Sequence, residues 1–381
     1  MASARKGEWS GLNARSKNIK VGVVVHGPAA VYSGEAQRII SFLKTFACPE
    51  AVAGGTMSRA AVLDMGLDCF IDINKCEPPS IALNSFEGAD ALVLINHGKD
   101  TEAGVAFGEI VASRLKDNFK DLIHIERASE KNGEVIIWKI SKNDNKSFPV
   151  ASLLAKELGI SLRQLKPDRY FAVEIKGEKR RIIKGTKKGE PLFINGIFVG
   201  YISDDKVFLT CRDNVITRLE GVKIKEHGLS KIKIMDIDSA MIKSGWLRDR
   251  VDKPLIACIK DGMGKASIID HGAFKSFDLT SDDTVCAITI GDDTTEIACD
   301  VLARLGIRTI GITDGDLDSL LSCAIKTEGS VIFKVSGITD DDAGIEVCKA
   351  LESSEDTFEG FVEKVKGCLD GRKISYTMTK Y

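Results

Sequence analysis

Apolar residues in this chain fall into two alternating periods. Nearly unbroken apolar runs at residues 19–25, 91–95 and 285–290 each end in a Gly- or Asp-bearing turn. Strands buried on both faces of a parallel sheet read this way. Helical spacing lies between them: Ala36, Ile39, Ile40, Leu43 and Phe46 form one apolar face, and Ile297, Ala298, Val301, Leu302 and Leu305 form another. Further strands are expected at 51–53, 122–126, 135–138, 255–259, 266–270, 307–313 and 331–335, and further helices at 102–115, 147–159, 339–351 and 358–368. Between about 171 and 219 the pattern shortens. Runs at 192–202, 206–211 and 214–219 are parted by Asn-Gly, Ser-Asp-Asp and Arg-Asp-Asn turns, which predicts antiparallel strands. The expected fold is α/β, with two Rossmann-like parallel-sheet lobes flanking a β-rich antiparallel module. The expected division is a flexible tail at 1–17, a first lobe at 18–145, a linker helix and β-rich module at 146–250, and a second lobe at 251–381.

At 381 residues the chain exceeds one ordinary core, which supports several domains. A hydrophobic content of 44% with 28% charged residues is that of a soluble globular protein. No apolar run reaches the length of a membrane helix, and residues 1–17 lack the apolar segment of a secretory signal. None of the ten cysteines forms a C-x-x-C pair, so neither a disulfide framework nor a structural zinc site is expected. These features predict a cytoplasmic protein, leave an oligomer open, and give no case for a membrane partner. A net charge of −2 argues against nucleic acid, and the basic run at 176–188 lacks interleaved aromatic residues for base stacking. That run reads better as a solvated hairpin.

The candidate chemistry lies at strand ends. The stretch at 284–319 reads as strand, acidic turn, helix, strand, acidic turn. A helix between two such strands makes them parallel and brings both turns to one carboxyl edge, where open α/β sheets bind ligands. Asp314, Asp316 and Asp318 lie at i, i+2 and i+4, with Asp292 and Asp293 at the neighbouring strand end. Carboxylates this dense repel unless solvated, protonated or neutralised by a cation, and Mg²⁺ suits oxygen ligands and phosphate. Helix capping accounts for part of the set: Asp293 with Glu296 fits a capping box, and Asp314-Gly315 is ordinary turn chemistry. Asp314, Asp316 and Asp318 are the metal candidates and Asp292 a catalytic one, with Asp293, Thr294 and Thr295 beside them for ligand. His271, past another strand end, is the acid–base candidate. In the first lobe, Gly54, Gly55 and Thr56 open a helix and could present backbone N–H groups to a phosphate, with Thr56 or Ser58 as N-cap the alternative. His26 and His97 follow two strands of that lobe and are further ligand-binding candidates. The dinucleotide and P-loop fingerprints are both absent, since Gly264-Lys265 is followed by Ala266.

A series of short motifs runs through the chain: Val25-His-Gly-Pro28, Gly54-Gly-Thr-Met57, Ile194-Asn-Gly-Ile-Phe-Val-Gly200, Lys225-Glu-His-Gly-Leu229, Ile269-Asp-His271, Gly291-Asp-Asp-Thr-Thr295 and Gly311-Ile-Thr-Asp-Gly-Asp-Leu-Asp318. This series resembles that of an uncharacterised archaeal protein family found mainly in methanogens, over about residues 19–340. The resemblance implies an archaeal cytosolic protein with a shared layout and carries no activity with it. The functional expectation from the residues is a Mg²⁺-dependent enzyme acting on a nucleotide or other phosphorylated small molecule. The alternative is a non-catalytic protein that binds a metabolite or cofactor at the same edge.

Overall fold

The computed structural model describes residues 19–381 except 75–76, 118, 169–170, 247–253, 271, 316–323 and 352–353. It is a mixed α/β protein with parallel and antiparallel sheets. The first lobe runs β1 (Lys20–His26), α1 (Pro28–Tyr32), α2 (Glu35–Leu43), β2 (Cys48–Gly54), α3 (Thr56–Asp64), α4 (Pro79–Ser85), β3 (Ala91–Asn96), α5 (Thr101–Ser113), β4 (Leu122–Glu126), β5 (Glu134–Trp138), α6 (Ser147–Leu158) and β6 (Ser161–Leu165). These strands form one sheet in the order β2-β1-β3-β4-β5-β6. The first four are mutually parallel; β5 turns antiparallel to β4, and β6 runs parallel to β5. The apolar runs of β1 and β3 are buried throughout because helices cover both faces, with Ile39, Ile40 and Leu43 of α2 on one and Val111 and Ala112 of α5 on the other. The sheet thus extends past residue 145 to take in β6.

The middle of the chain is antiparallel. It comprises β7 (Ala172–Ile175), β8 (Glu178–Ile183), β9 (Pro191–Ile194), β10 (Ile197–Ile202), β11 (Val207–Arg212), β12 (Val215–Glu220), β13 (Val222–Ile224), α7 (Glu226–Ser230) and β14 (Ile242–Ser244). Two four-stranded sheets, β13-β10-β9-β14 and β12-β11-β8-β7, enclose a core with Leu192, Val199, Val207 and Leu209. The basic run at 176–188 is the β7–β8 hairpin and its exit. Lys179, Arg180, Lys184 and Lys187 pair with Asp238, Glu220, Glu109 and Asp100.

The second lobe has β15 (Gly264–Asp270), α8 (Ser276–Leu279), β16 (Thr284–Ile290), α9 (Asp292–Leu302), β17 (Arg308–Thr313), β18 (Val331–Ser336), α10 (Asp340–Leu351), β19 (Glu355–Asp356), α11 (Phe358–Gly371) and β20 (Ser375–Lys380). Its sheet has the order β19-β15-β16-β17-β18-β20, with β15 to β18 parallel and both edge strands antiparallel. Helices α10 and α11 pack on one face of β16–β18 through Val347, Phe361 and Val365. Residues 255–259, expected as a strand, join no sheet. Their neighbourhood bonds instead to the end of α9, Ala257 N–H donating to the Ala303 carbonyl and Lys260 N–H to that of Gly306.

The three bodies meet at one apolar cluster: Met57 and Ala60 of α3, Phe193 and Phe198 of the β module, and Phe277, Ile297 and Val301 of the second lobe. Beside it Asp64 receives two hydrogen bonds from Arg304, at 3.0 and 2.9 Å, both side chains almost fully buried. This junction fixes α7 of the β module opposite the helix starts of the second lobe. Among the described residues no helix is long and apolar enough to cross a membrane.

Candidate functional site

Three carboxylates converge at the carboxyl edge of the second sheet. Gly291 adopts φ +105°, so β16 passes into α9 through a single residue and Asp292 becomes the first residue of the helix. Asp314 follows the last residue of β17, and Asp340 is the first residue of α10 after β18. Because β16, β17 and β18 are neighbours in register, the three acids come from three adjacent strand ends. One oxygen from each lies within 4.8 Å of the others. Asp292 Oδ2 also accepts from the N–H groups of Asp314 and Gly315, at 3.0 and 2.9 Å, and ties the two acidic turns together. The capping box expected from Asp293 and Glu296 does not form. The N-cap is Gly291, which has no side chain to bond with.

Asp340 is the least comfortable of the three. It is 9% exposed, and its one hydrogen bond among the described residues comes from the N–H of its neighbour Asp341, at 2.8 Å. Burial, and then the charges of Asp314 and Asp341, push its pKa up from 3.8 to about 6. Neither Asp314 nor Asp340 has an ion-pair partner among the described residues.

The acids line one side of a cleft of about 190 Å³. Asp293, Thr294, Thr339 and Asp341 share that side, and Lys225, His227 and Lys231 of the β module line the other. The module reaches this position because Phe198 sits in the three-body cluster and α7 packs on β10. A Cβ on Gly228 would lie 2.0 Å from the Phe198 carbonyl oxygen, so only glycine allows that approach. His227 Nε2 stands 4.0 Å from Asp341 Oδ2.

The remaining sequence candidates are distributed elsewhere. Of the expected metal set, Asp314 is in the cluster, while Asp316 and Asp318, like His271, lie outside the described residues. Thr295 is buried away from the cleft and shares a 2.7 Å hydrogen bond with Thr289. The Gly54-Gly55-Thr56 turn lies in the contact between lobes. The Thr56 hydroxyl donates to the Phe274 carbonyl, and Arg59 pairs with Asp278 at 2.8 Å and stacks on Phe277. The expected N-cap bond from Thr56 or Ser58 is absent; Gly55 is the N-cap, and the Ser58 hydroxyl donates to the Gly54 carbonyl.

His26 and His97 share the carboxyl edge of the first sheet but serve opposite faces. Consecutive strand residues point to opposite sides. His26 faces α5, stacked on Phe107 with ring centroids 3.9 Å apart, and its Nδ1 is 2.8 Å from Asn96 Oδ1. Asn96 in turn donates to Glu126 at 2.6 Å, which leaves Oδ1 as acceptor and gives His26 the Nδ1–H tautomer. Burial, and then the charge of Lys243, push the His26 pKa down to about 3. His97 faces α2, with Nδ1 2.9 Å from Glu35 Oε1, the same oxygen that accepts from the N–H and hydroxyl of Ser129. Burial raises Glu35, but these bonds outweigh it and hold the carboxyl below its usual range.

Sequence reasoning missed Asp340, and it missed the polar chain behind His26. Glu126 is fully buried and also accepts from the Gly98 N–H at 2.6 Å and faces His124 Nε2 at 3.1 Å. The available signals were an acidic run at 340–342 opening a helix after a parallel strand, and polar residues at i and i+2 inside the apolar strand Leu-Ile-His-Ile-Glu.

The chain matches, over residues 23–355, a family described as uncharacterized proteins conserved in archaea. It is 37% identical over 362 residues to an uncharacterized protein of Methanocaldococcus jannaschii, an alignment that takes in 94% of this chain and 99% of the relative. No solved structure matches it.

Proposed function

The chain belongs to this family of uncharacterized archaeal proteins, and from that premise we propose that it is a Mg²⁺-dependent enzyme acting on a nucleotide or other phosphorylated small molecule. We read both parallel sheets as Rossmann-like, with the second lobe carrying the site. The observation that carries the reading is the convergence of Asp292, Asp314 and Asp340, with Asp340 buried and lacking a cationic partner among the described residues. Carboxylates in that state favour either protons or a cation. The donor set fits a hard divalent ion. Ligand oxygens about 2.1 Å from Mg²⁺ lie about 3–4 Å from one another, so a spread within 4.8 Å closes with small side-chain movements. Three carboxylates leave the remaining positions for water and phosphate oxygens. Bound there, the ion would polarise a phosphoryl oxygen and neutralise developing charge. Asp314 and Asp340 hold it, while Asp292 also keeps the β17-end turn in place through its two backbone bonds.

Mn²⁺ titration followed by electron paramagnetic resonance tests the reading. Parent protein should bind one equivalent with Mg²⁺ competing, and the Asp314→Asn/Asp340→Asn double variant should lose that binding. Equal binding by the two proteins would sink the proposal. A phosphorylated ligand that co-purifies and is returned intact after long incubation with Mg²⁺ would make the cleft a binding site without chemistry.

A further inference from the structure

Resting on that reading, we infer that the β-rich module supplies the phosphate-binding half of the site, and that the group it takes is a terminal phosphate or diphosphate carried on the metal. Lys225 and Lys231 flank the five-residue helix α7, His227 lies within it, and the three form the wall opposite the acids. A cleft lined only by the second lobe would attract cations and repel phosphate. The opposed basic wall changes that, because a metal–phosphate unit presents positive charge to the acids and negative charge to the lysines. Buried Asp340, facing this cleft without a cationic partner among the described residues, is the second sign that something charged belongs between the walls. His227 Nε2 stands 4.0 Å from Asp341 Oδ2, which places the two walls face to face across the cleft.

Size narrows the ligand. Pockets for whole drug-sized molecules run about 300–1,000 Å³. At about 190 Å³ this cleft takes a phosphate or diphosphate head with its ion, and the rest of the molecule stays outside. Because the walls belong to different bodies, such a ligand bridges the β module and the second lobe.

The experiment is calorimetric titration of full-length protein with inorganic pyrophosphate and with phosphate, with and without Mg²⁺, beside the Mn²⁺ titration. The parent should bind pyrophosphate only with metal present. Lys225→Ala/Lys231→Ala should weaken pyrophosphate at least tenfold and leave Mn²⁺ affinity within about twofold, since the lysines touch phosphate and not the ion. Lys231 is exposed, so Lys231→Ala alone gives a folded control, with a smaller loss in the same direction. If the lysine variants bind Mg²⁺-pyrophosphate as tightly as the parent, the assignment of the basic wall fails while the metal reading stands. If the parent binds no Mn²⁺ at the acids, the metal reading fails first, and the basic wall falls with it.

Discussion

Replacing Asp340 with asparagine should stabilise the metal-free protein, although it removes a residue of the candidate site. The substitution keeps the shape and deletes the charge. In the folded chain the Asp340 carboxyl keeps its proton up to about pH 6, whereas an unfolded aspartate releases it near 3.8. Between those values the unfolded chain binds fewer protons, so stability falls as pH rises, and it stays low above about pH 6. The rise from 3.8 to about 6 corresponds to about 3 kcal/mol. His26 slopes the other way. It stays neutral in the fold down to about pH 3, while an unfolded histidine gains a proton below about 6.5, so acid disfavours the native state through it. Subtracting the variant from the parent cancels His26 and isolates Asp340. Hydrogen–deuterium exchange of peptides from β16, β17 and β18, in EDTA and graded urea, reads the stability of the second lobe without assuming that the whole chain unfolds in one step. The variant should be more stable by about 1–3 kcal/mol at about pH 8, and the gap should close as pH falls below about 6 and vanish once it is below 3.8. Mg²⁺ should protect the parent and not the variant. If Asp340→Asn is no more stable at pH 8, the three carboxylates do not strain the apo site, and the physical argument for a cation goes with them.

Other substitutions probe the frame around the site. Asp64→Ala leaves Arg304 buried with only Asp300 opposite it and should cost about 3–5 kcal/mol, seen as a lower urea midpoint and faster proteolysis between the lobes. Gly104→Ala puts a Cβ 2.1 Å from Glu126 Cδ, and Gly108→Ala puts one 2.2 Å from His124 Nδ1. Each should destabilise the first lobe by about 1–3 kcal/mol, measured by denaturation. Asp292→Ala strips the acceptor from the Asp314 and Gly315 N–H groups. Exchange at the end of β17 should speed up about tenfold even without metal. The ¹⁵N shifts of His26 should report a neutral Nδ1–H ring from pH 8 down to about pH 4, and titration of this ring near pH 6.5 would contradict the buried Asn96 contact.

The sequence resolves this molecule where one physical rule dominates. Strands β1, β3 and β16 are buried on both faces, so their apolar runs are continuous and legible. The β16–α9–β17 unit, with Asp292 and Asp314 at one edge, follows from alternation alone. Polar edges are not legible in that way. Strand β6 is Ser-Leu-Arg-Gln-Leu and β20 is Ser-Tyr-Thr-Met-Thr-Lys; both are sheet edges with much of their side-chain surface in solvent, so neither carries an apolar run. Asp340 was hidden for a different reason. An aspartate at a helix start is ordinary dipole chemistry, and nothing local distinguishes a capping acid from one aimed at two others. Its partners come from strands adjacent in space, 26 and 48 residues earlier. The basic wall is less local still, because it depends on a β module docking through Phe198.

The two carboxyl edges differ in what surrounds Glu126 on one and Asp340 on the other. In the first lobe, Glu126 has three donors around it, Asn96 bridges it to His26, and the glycine face of α5 opens to make room. A network satisfied by its own protein rigidifies the lobe and asks for nothing further. In the second lobe the acids face one another. Asp292 finds backbone N–H groups, but among the described residues Asp340 finds only the amide of Asp341 and, besides its burial, the charges of Asp314 and Asp341, which push its pKa up to about 6. Folding alone would disfavour such an arrangement if asparagine in place of Asp340 relieves it as predicted. On the function proposed above, a ligand that brings positive charge between the acids and the lysines opposite would relieve this arrangement, and the Asp340→Asn comparison with and without Mg²⁺ separates that from helix capping.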